Sequence, residues 1–251
     1  MRVTALIIAL LSDIHGNLEA LDACLRHARE RGAERYVFLG DLVGYGADSQ
    51  AVVETVERYA AEGAVVVKGN HDEAVERSAR YMNESAQAGV EWARHTLSPQ
   101  AKAFLAALPV CVREDSMCFV HASASFPERW EYIDSPNAAE RSIEAAQSTY
   151  TFCGHVHVQE LYFVRERSGA GIFRPVRGSA IPLNRNHRWL ALIGSVGQPR
   201  DHNPAAAYAL FDSAAGRITF HRVAYDHLAA AEKIRRAGLP AALAYRVENG
   251  I

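Results

Sequence analysis

Apolar runs and helical repeats take turns along the amino-terminal part of the chain. Val3 to Leu11 reads as an apolar run, the pattern of a strand buried on both faces. After the turn at His15-Gly16, Asn17 can cap a helix reaching about Arg31, with Leu18, Leu21, Leu25 and Ala28 at helical spacing and Gly32 ending it. Tyr36 to Leu39 predicts a second strand that breaks into Gly40-Asp41, and a helix follows from about Ser49 to Ala61. Ala64 to Val67 predicts a third strand, breaking into Gly69-Asn70-His71-Asp72. This β-α-β-α-β rhythm predicts a mostly parallel sheet with helices layered on it.

Glu73 to Leu108 reads as wholly helical in two or three pieces, the last opened by Ser98-Pro99. Strands at Val110 to Arg113 and Met117 to Val120 flank a turn, and the second runs into His121. A polar, aromatic loop from Pro127 to Pro136 precedes a helix of about Asn137 to Gln147, and the strand Tyr150 to Cys153 ends at Gly154-His155-Val156-His157. Alternation in Gln159 to Arg165, Gly171 to Val176, Trp189 to Ile193, Ala207 to Phe211 and Arg217 to Arg222 suggests an antiparallel sheet. A charged helix from Asp226 to Ala237 and a short one from Pro240 close the chain. With no repeat or linker-like stretch, residues 1–251 read as one domain with a helical tail from about 226.

Composition narrows the class. The 251 residues are 49% hydrophobic and 22% charged, as in ordinary globular proteins. A formal net charge of −2 argues against an electrostatically driven nucleic-acid or membrane binder. Cys24, Cys111, Cys118 and Cys153 include no CxxC pair, which fits a reducing compartment without a disulfide framework. The run Ala5 to Leu11 is too short to span a bilayer and has no cleavage-site pattern after it, so the expectation is an unanchored cytoplasmic protein. Oligomeric state leaves no trace in the sequence.

The chemistry lies where strands end. Asp13 and His15, Asp41, Asn70 and His71, His121, and His155 with His157 all stand at strand-to-loop junctions, where open α/β sheets collect their active sites. An Asp/His/Asn set without thiolate suits borderline divalent metals such as Mn, Fe, Zn or Ni, and not a structural zinc site. Any one of these residues could instead be a turn, a cap or a satisfied core histidine.

Taken together, the runs Asp13-Ile14-His15, Gly40-Asp41, Gly69-Asn70-His71-Asp72, the lone His121 and Gly154-His155-Val156-His157 resemble the signature of the calcineurin-like metallophosphoesterases. Ser12 to Leu18, Gly40 to Gly46 and Gly194 to Arg200 look most like the bacterial phosphodiesterase branch. The resemblance implies a four-layer α/β/β/α sandwich of two mixed sheets. It also implies two divalent ions, one held by Asp13, His15 and His157 and one by Asn70, His121 and His155, with Asp41 bridging them. His71 would be the non-ligand histidine beside the leaving-group oxygen. Such a pair of ions neutralises phosphoryl oxygens and lowers the pKa of a shared water toward about 7, and a histidine is suited to protonate the leaving group.

The protein Ser/Thr phosphatase branch carries Gly-Asp-x-Val-Asp-Arg-Gly, whereas here Gly44 and Tyr45 replace its Asp and Arg. The partner of His71 is therefore not evident, since the adjacent Asp72 could point away. For substrate contact the sequence offers Asn17, which could equally cap its helix, together with Tyr45 and Arg200. Arg129, Trp130 and Tyr132 could wall a cleft for a nucleobase or aryl leaving group. The expected reaction is hydrolysis of a small or nucleotide-like phosphodiester, or of a phosphomonoester. The competing readings are a nuclease of the same fold and a non-catalytic metal-binding scaffold.

Overall fold

The alternation along β1 (Ile7–Leu11) assigns the layers. Ile8 and Leu10 enter an apolar seam between two sheets, while Ala9 and Leu11 face the covering helices. Both faces are thus buried, which is why the strand is apolar at every position. The computed structural model describes residues 6–77, 82–165 and 168–251; positions 3–5 of the expected first strand lie outside them.

One sheet runs β3 (Val65–Val66), β2 (Arg35–Phe38), β1, β11 (Ala206–Asp212), β12 (Arg217–Val223) and β9 (Ala180–Pro182). The other runs β4 (Cys111–Glu114), β5 (Met117–Val120), β6 (Tyr150–Cys153), β10 (Arg188–Ile193), β7 (Gln159–Arg165) and β8 (Ser168–Phe173). Strands β1 to β3 are parallel to one another, as are β5, β6 and β10; the remaining pairings are antiparallel. Tyr150, Phe152, Phe119, Phe211 and Phe220 fill the seam. Truncating one such buried ring to alanine typically costs about 3–5 kcal/mol.

Helices α1 (Leu18–Glu30), α2 (Ser49–Ala61), α4 (Glu84–Thr96) and α5 (Pro99–Ala107) cover the first sheet, and α6 (Pro136–Ala146) covers the second. The result is a four-layer α/β/β/α sandwich. The short α3 (Asn70–Ala74) follows β3 directly. Helices α7 (His227–Arg236) and α8 (Ala241–Asn249) pack through Ala231, Ile234, Leu243 and Ala244 into a cluster that includes Tyr45. Lys233 of α7 pairs with Glu19 at 2.5 Å and Asp48 at 2.8 Å, tying this hairpin to the starts of α1 and α2.

Three expectations need correction. The stretch Glu73 to Leu108 divides into pieces as expected but is not wholly helical. Helix α3 ends at Ala74, residues 75–77 turn and bend, and α4 starts afresh at Glu84, where the Asn83 side chain caps it by accepting from Ala86 N. The late strands do not form one antiparallel sheet. They divide between the two, β7, β8 and β10 in one and β9, β11 and β12 in the other, because alternation reveals which residues share a face and not which sheet a strand joins. The strand expected at Gly171 to Val176 instead ends at Phe173, before Pro175, which cannot donate to a ladder.

All four cysteines are free, and no helix among the described residues is long and apolar enough to cross a membrane.

Candidate active site

The loops after β1, β2, β3, β5, β6 and β10 meet at one edge of the sandwich. Backbone hydrogen bonds lash them together: Asp13 N to Gly40 O, His15 N to Asp41 O, Gly154 N to His121 O and Gly197 N to Asp13 O, at 2.9–3.1 Å. The turns are sharp. Asp13, His15, Asp41, Tyr45, His155 and His157 all have φ between 50° and 66°, a left-handed conformation that non-glycine residues seldom adopt. Each such residue stores of order 1–3 kcal/mol, and surrounding structure must hold it there. Glycines make room: a Cβ on Gly69 would overlap Asp41, and one on Gly154 would overlap Ser12 and Asp13.

Main-chain carbonyls orient the imidazoles. His15 Nδ1 donates to Val43 O at 3.0 Å, His121 Nδ1 to Leu39 O at 2.8 Å and His157 Nδ1 to Gln198 O at 2.6 Å. With those protons placed, each Nε2 turns a lone pair inward. His15 Nε2 then lies 3.2 Å from His157 Nε2, which lies 3.2 Å from Asp13 Oδ1. Across the site His121 Nε2 lies 3.1 Å from His155 Nδ1 and 3.2 Å from Asn70 Oδ1. Asp41 Oδ2 sits between the halves, 3.6 Å from His15 Nε2 and 3.3 Å from His121 Nε2. Electron pairs this close repel unless protons or cations lie between them. The donor set, all oxygen and imidazole nitrogen, therefore fits divalent cations. Asp13, His15 and His157 make one group whose candidate ligand atoms lie within 4.8 Å of one another, and Asp41, His121 and His155 make another; His15 and Asp41 also form one with His71.

The protonation equilibria express the same crowding. Burial, then the neighbouring His121, pushes His155 down to about 3, and burial drives His15 well below its ordinary value. Burial opposes charge on His121 too, but Asp41 lifts it to about 9, so without metal a proton occupies that half. Burial likewise opposes ionisation of Asp13 and Asp41. His157 nevertheless holds Asp13, and His121 holds Asp41, well below the usual carboxylate range.

His71 is buried, its backbone N donates to Asp41 Oδ1 at 2.8 Å, and burial lowers its pKa to about 4. Its ring packs 4.8 Å from His15 and 4.6 Å from Tyr45. Its Nδ1 has no hydrogen-bond partner among the described residues and abuts Gly44, where any Cβ would overlap it. Asp72 does not supply the missing partner. Its Oδ1 accepts from Leu42 N at 2.9 Å and Val43 N at 3.3 Å, and its Oδ2 from Gly69 N at 2.9 Å. Asp72 therefore clamps the loop carrying Asp41 to the helix carrying His71, while burial and the charge of Asp41 push its pKa up to about 7.

Of the substrate-contact candidates, Asn17 is already committed. Its amide donates to Gly197 O at 2.9 Å and Tyr225 OH at 3.0 Å, and its oxygen caps α1 at Ala20 N, leaving no donor for a phosphoryl oxygen. Tyr45 wedges between His15 and His71. Arg200 has its Nη2 3.5 Å from Tyr45 OH, its Nε unpartnered, and no ion pair among the described residues. Trp130 packs edge-on to His121, and Tyr132 lies over His155. The sequence did not point to Glu73, which accepts from Trp130 Nε1 at 3.0 Å, nor to the carbonyls of Leu39, Val43 and Gln198. A carbonyl is common to every residue, so no sequence signal could have singled these out.

Comparisons with known proteins agree with this geometry. The sequence profile of the "Calcineurin-like phosphoesterase superfamily domain" matches residues 6–216. An uncharacterized protein of Methanocaldococcus jannaschii is 34% identical over 249 residues, 97% of this chain and 98% of its own. The crystal structure of a metallophosphoesterase from Sphaerobacter thermophilus superposes with a TM-score of 0.87 at 34% identity, covering 99% of this chain and 100% of that one. That of a hypothetical protein from Pyrococcus horikoshii shares the fold at 19% identity with a TM-score of 0.77, over 98% and 99% of the two chains. With a profile spanning most of its length and a full-length relative above 30% identity, this chain belongs to the calcineurin-like phosphoesterase superfamily.

Proposed function

We propose that the protein is a hydrolase that uses two divalent metal ions, drawn from Mn, Fe, Zn or Ni, on a small or nucleotide-like phosphodiester or a phosphomonoester. The observation that carries this reading is the set of inward lone pairs, aligned by backbone carbonyls and gathered around Asp41. Asp13, His15 and His157 would hold one ion, Asn70, His121 and His155 the other, and Asp41 would reach both. Such ions, when bound, neutralise phosphoryl oxygens and bring the pKa of a water toward about 7.

The chain's own groups supply the rest. Carbonyls keep His15, His121 and His157 in the ligating tautomer, and Asp72 holds the Asp41 loop in register. Burial keeps His71 neutral in the free site. The negative charge of an approaching phosphoryl group would raise its pKa again, so that the ring takes up a proton from solvent and passes it to the leaving oxygen. Arg200, without a carboxylate partner among the described residues, is available to a non-bridging oxygen.

The test is to strip the protein with a chelator, reload it with manganese, and assay bis-p-nitrophenyl phosphate, p-nitrophenyl phosphate and single-stranded DNA. Metal-dependent cleavage of an aryl ester is expected. Cleavage of DNA alone would reassign the protein as a nuclease, and inactivity with every metal would leave a scaffold. In oxygen-18 water a single turnover should label the released phosphate in one step; a trapped covalent phosphate would refute direct water attack.

A further inference from the structure

Beside the histidine–aspartate cluster lies a cavity of about 550 Å³, open to solvent on one side, whose lining includes Tyr45, Met82, Glu128, Arg129, Trp130 and Tyr132. That is the size of a small-molecule site and more than a phosphoryl group alone requires. Asn70, His71 and His155 also line it, so a group in the cavity lies directly beside the histidine–aspartate cluster.

Its aromatic rings are not equivalent. Tyr45 is 6% exposed, with its ring taken up by His15 and His71 at 4.5 and 4.6 Å. Trp130 is 9% exposed, packed on His121 at 5.9 Å, with its N–H given to Glu73. Tyr132 is 55% exposed: it covers His155 at 4.1 Å and leaves the rest of its ring open. The segment that presents it is set in advance. Phe126 and Trp130 both have φ of 55°, costly for bulky residues, on either side of a 3-10 turn at Pro127–Arg129. Arg129 lies over the Phe126 ring at 4.5 Å.

The charges in the cavity exclude one class of occupant. Among the described lining residues, Glu73, itself paired with Arg77 at 2.8 Å, and Glu128 stand against one cation, Arg129, so these residues offer a second phosphate no net positive wall. A quaternary ammonium would need a cage of several open ring faces, and among the described lining residues only Tyr132 offers one. A flat, uncharged ring meets both conditions.

We propose that the alcohol or phenol departing from phosphorus carries an uncharged planar ring system, a nucleobase or aryl moiety, stacked on the open face of Tyr132 in this cavity. The proposal rests on the reading that the phosphoryl group sits at the histidine–aspartate cluster. Phosphonates, whose P–C bond cannot be hydrolysed, allow binding to be measured without turnover. Calorimetry on the manganese-loaded protein would compare benzylphosphonate with cyclohexylmethylphosphonate, alike in size but not in planarity, and with methylphosphonate as reference. The flat ring should bind about tenfold more tightly than the puckered one. Tyr132→Leu should abolish that preference and Tyr132→Phe should keep it, both with unchanged thermal melting. Equal binding of the two rings, or a preference that survives Tyr132→Leu, overturns the proposal. In that case, methylphosphonate that still binds leaves the phosphoester reading standing. Failure of all three phosphonates to bind overturns both.

Discussion

His27, Tyr208 and His221 form a second histidine cluster, where α1 meets β11 and β12, and it contrasts with the candidate site. There His27 Nδ1 lies 2.6 Å from Tyr208 OH, and the two imidazoles stand 5.1 Å apart. Burial lowers both histidines, joined at His27 by Arg31 and at His221 by His27 and then Arg31, which together bring His221 to about 4. Neither forms an ion pair with a carboxylate, and no group of three candidate ligand atoms gathers there among the described residues. In the candidate site burial is deeper, yet His121 is lifted to about 9 by Asp41. Burial alone makes a histidine neutral and inert. Carboxylates, with carbonyls that fix the tautomer, turn a histidine cluster into a sink for cations.

The sharpest way to break that contrast is Asp41→Asn, which removes the charge shared by both halves. Metal content measured by mass spectrometry should collapse, and kcat/KM should fall by roughly a thousandfold or more, since several kcal/mol of charge stabilisation depend on the ions. Full metal content in the variant would show that Asp41 does not join the halves.

His71→Ala should retain metal and lose about a hundredfold or more in kcat, the usual worth of a positioned proton donor. The loss should shrink for good leaving groups such as p-nitrophenolate; equal losses on all leaving groups would remove the donor role. Asp72→Asn leaves every proposed ligand in place but weakens the clamp between the Asp41 loop and α3. About a 10- to 100-fold loss in metal affinity is expected, as for other groups that orient ligands; titration with manganese reads it directly.

The smallest effect belongs to the other cluster. Between about pH 6.5 and 4 the unfolded chain protonates His221 while the folded chain resists, so stability falls as pH falls through that window. His221→Gln should flatten this decline in denaturant unfolding measured from pH 7 to 4.5, and leave activity at pH 7 unchanged.

Much of the fold was legible along the chain. The first three strands and the helices α1, α2 and α6 are local patterns closed by caps, and their ends fall within a few residues of expectation. Pieces were expected between Glu73 and Leu108, but the boundary at Asn83 was not legible, because an asparagine inside a helical repeat looks like one more polar surface position until its side chain is seen to cap Ala86 N. The division of the late strands was missed for a different reason: partners are chosen by the whole sheet, as when β10 joins β6 in parallel across an intervening hairpin. At the site, residue types and strand-end positions could be read from the motifs. The role of Asp72 could not, because whether a side chain faces its neighbour or the backbone depends on the path of a distant loop.

From one-dimensional pattern alone came the alternation of strands and covering helices, the glycine-punctuated strand ends and the choice of oxygen and nitrogen side chains, because period and punctuation are properties of neighbours; the four-layer sandwich was implied by the family resemblance. Folding in three dimensions added what neighbours cannot encode. His15 and His157 stand 142 positions apart, and only packing of the two sheets sets their nitrogens 3.2 Å from each other. The carbonyls that aim them, the clamp at Asp72 and the open face of Tyr132 arise from contacts between remote segments.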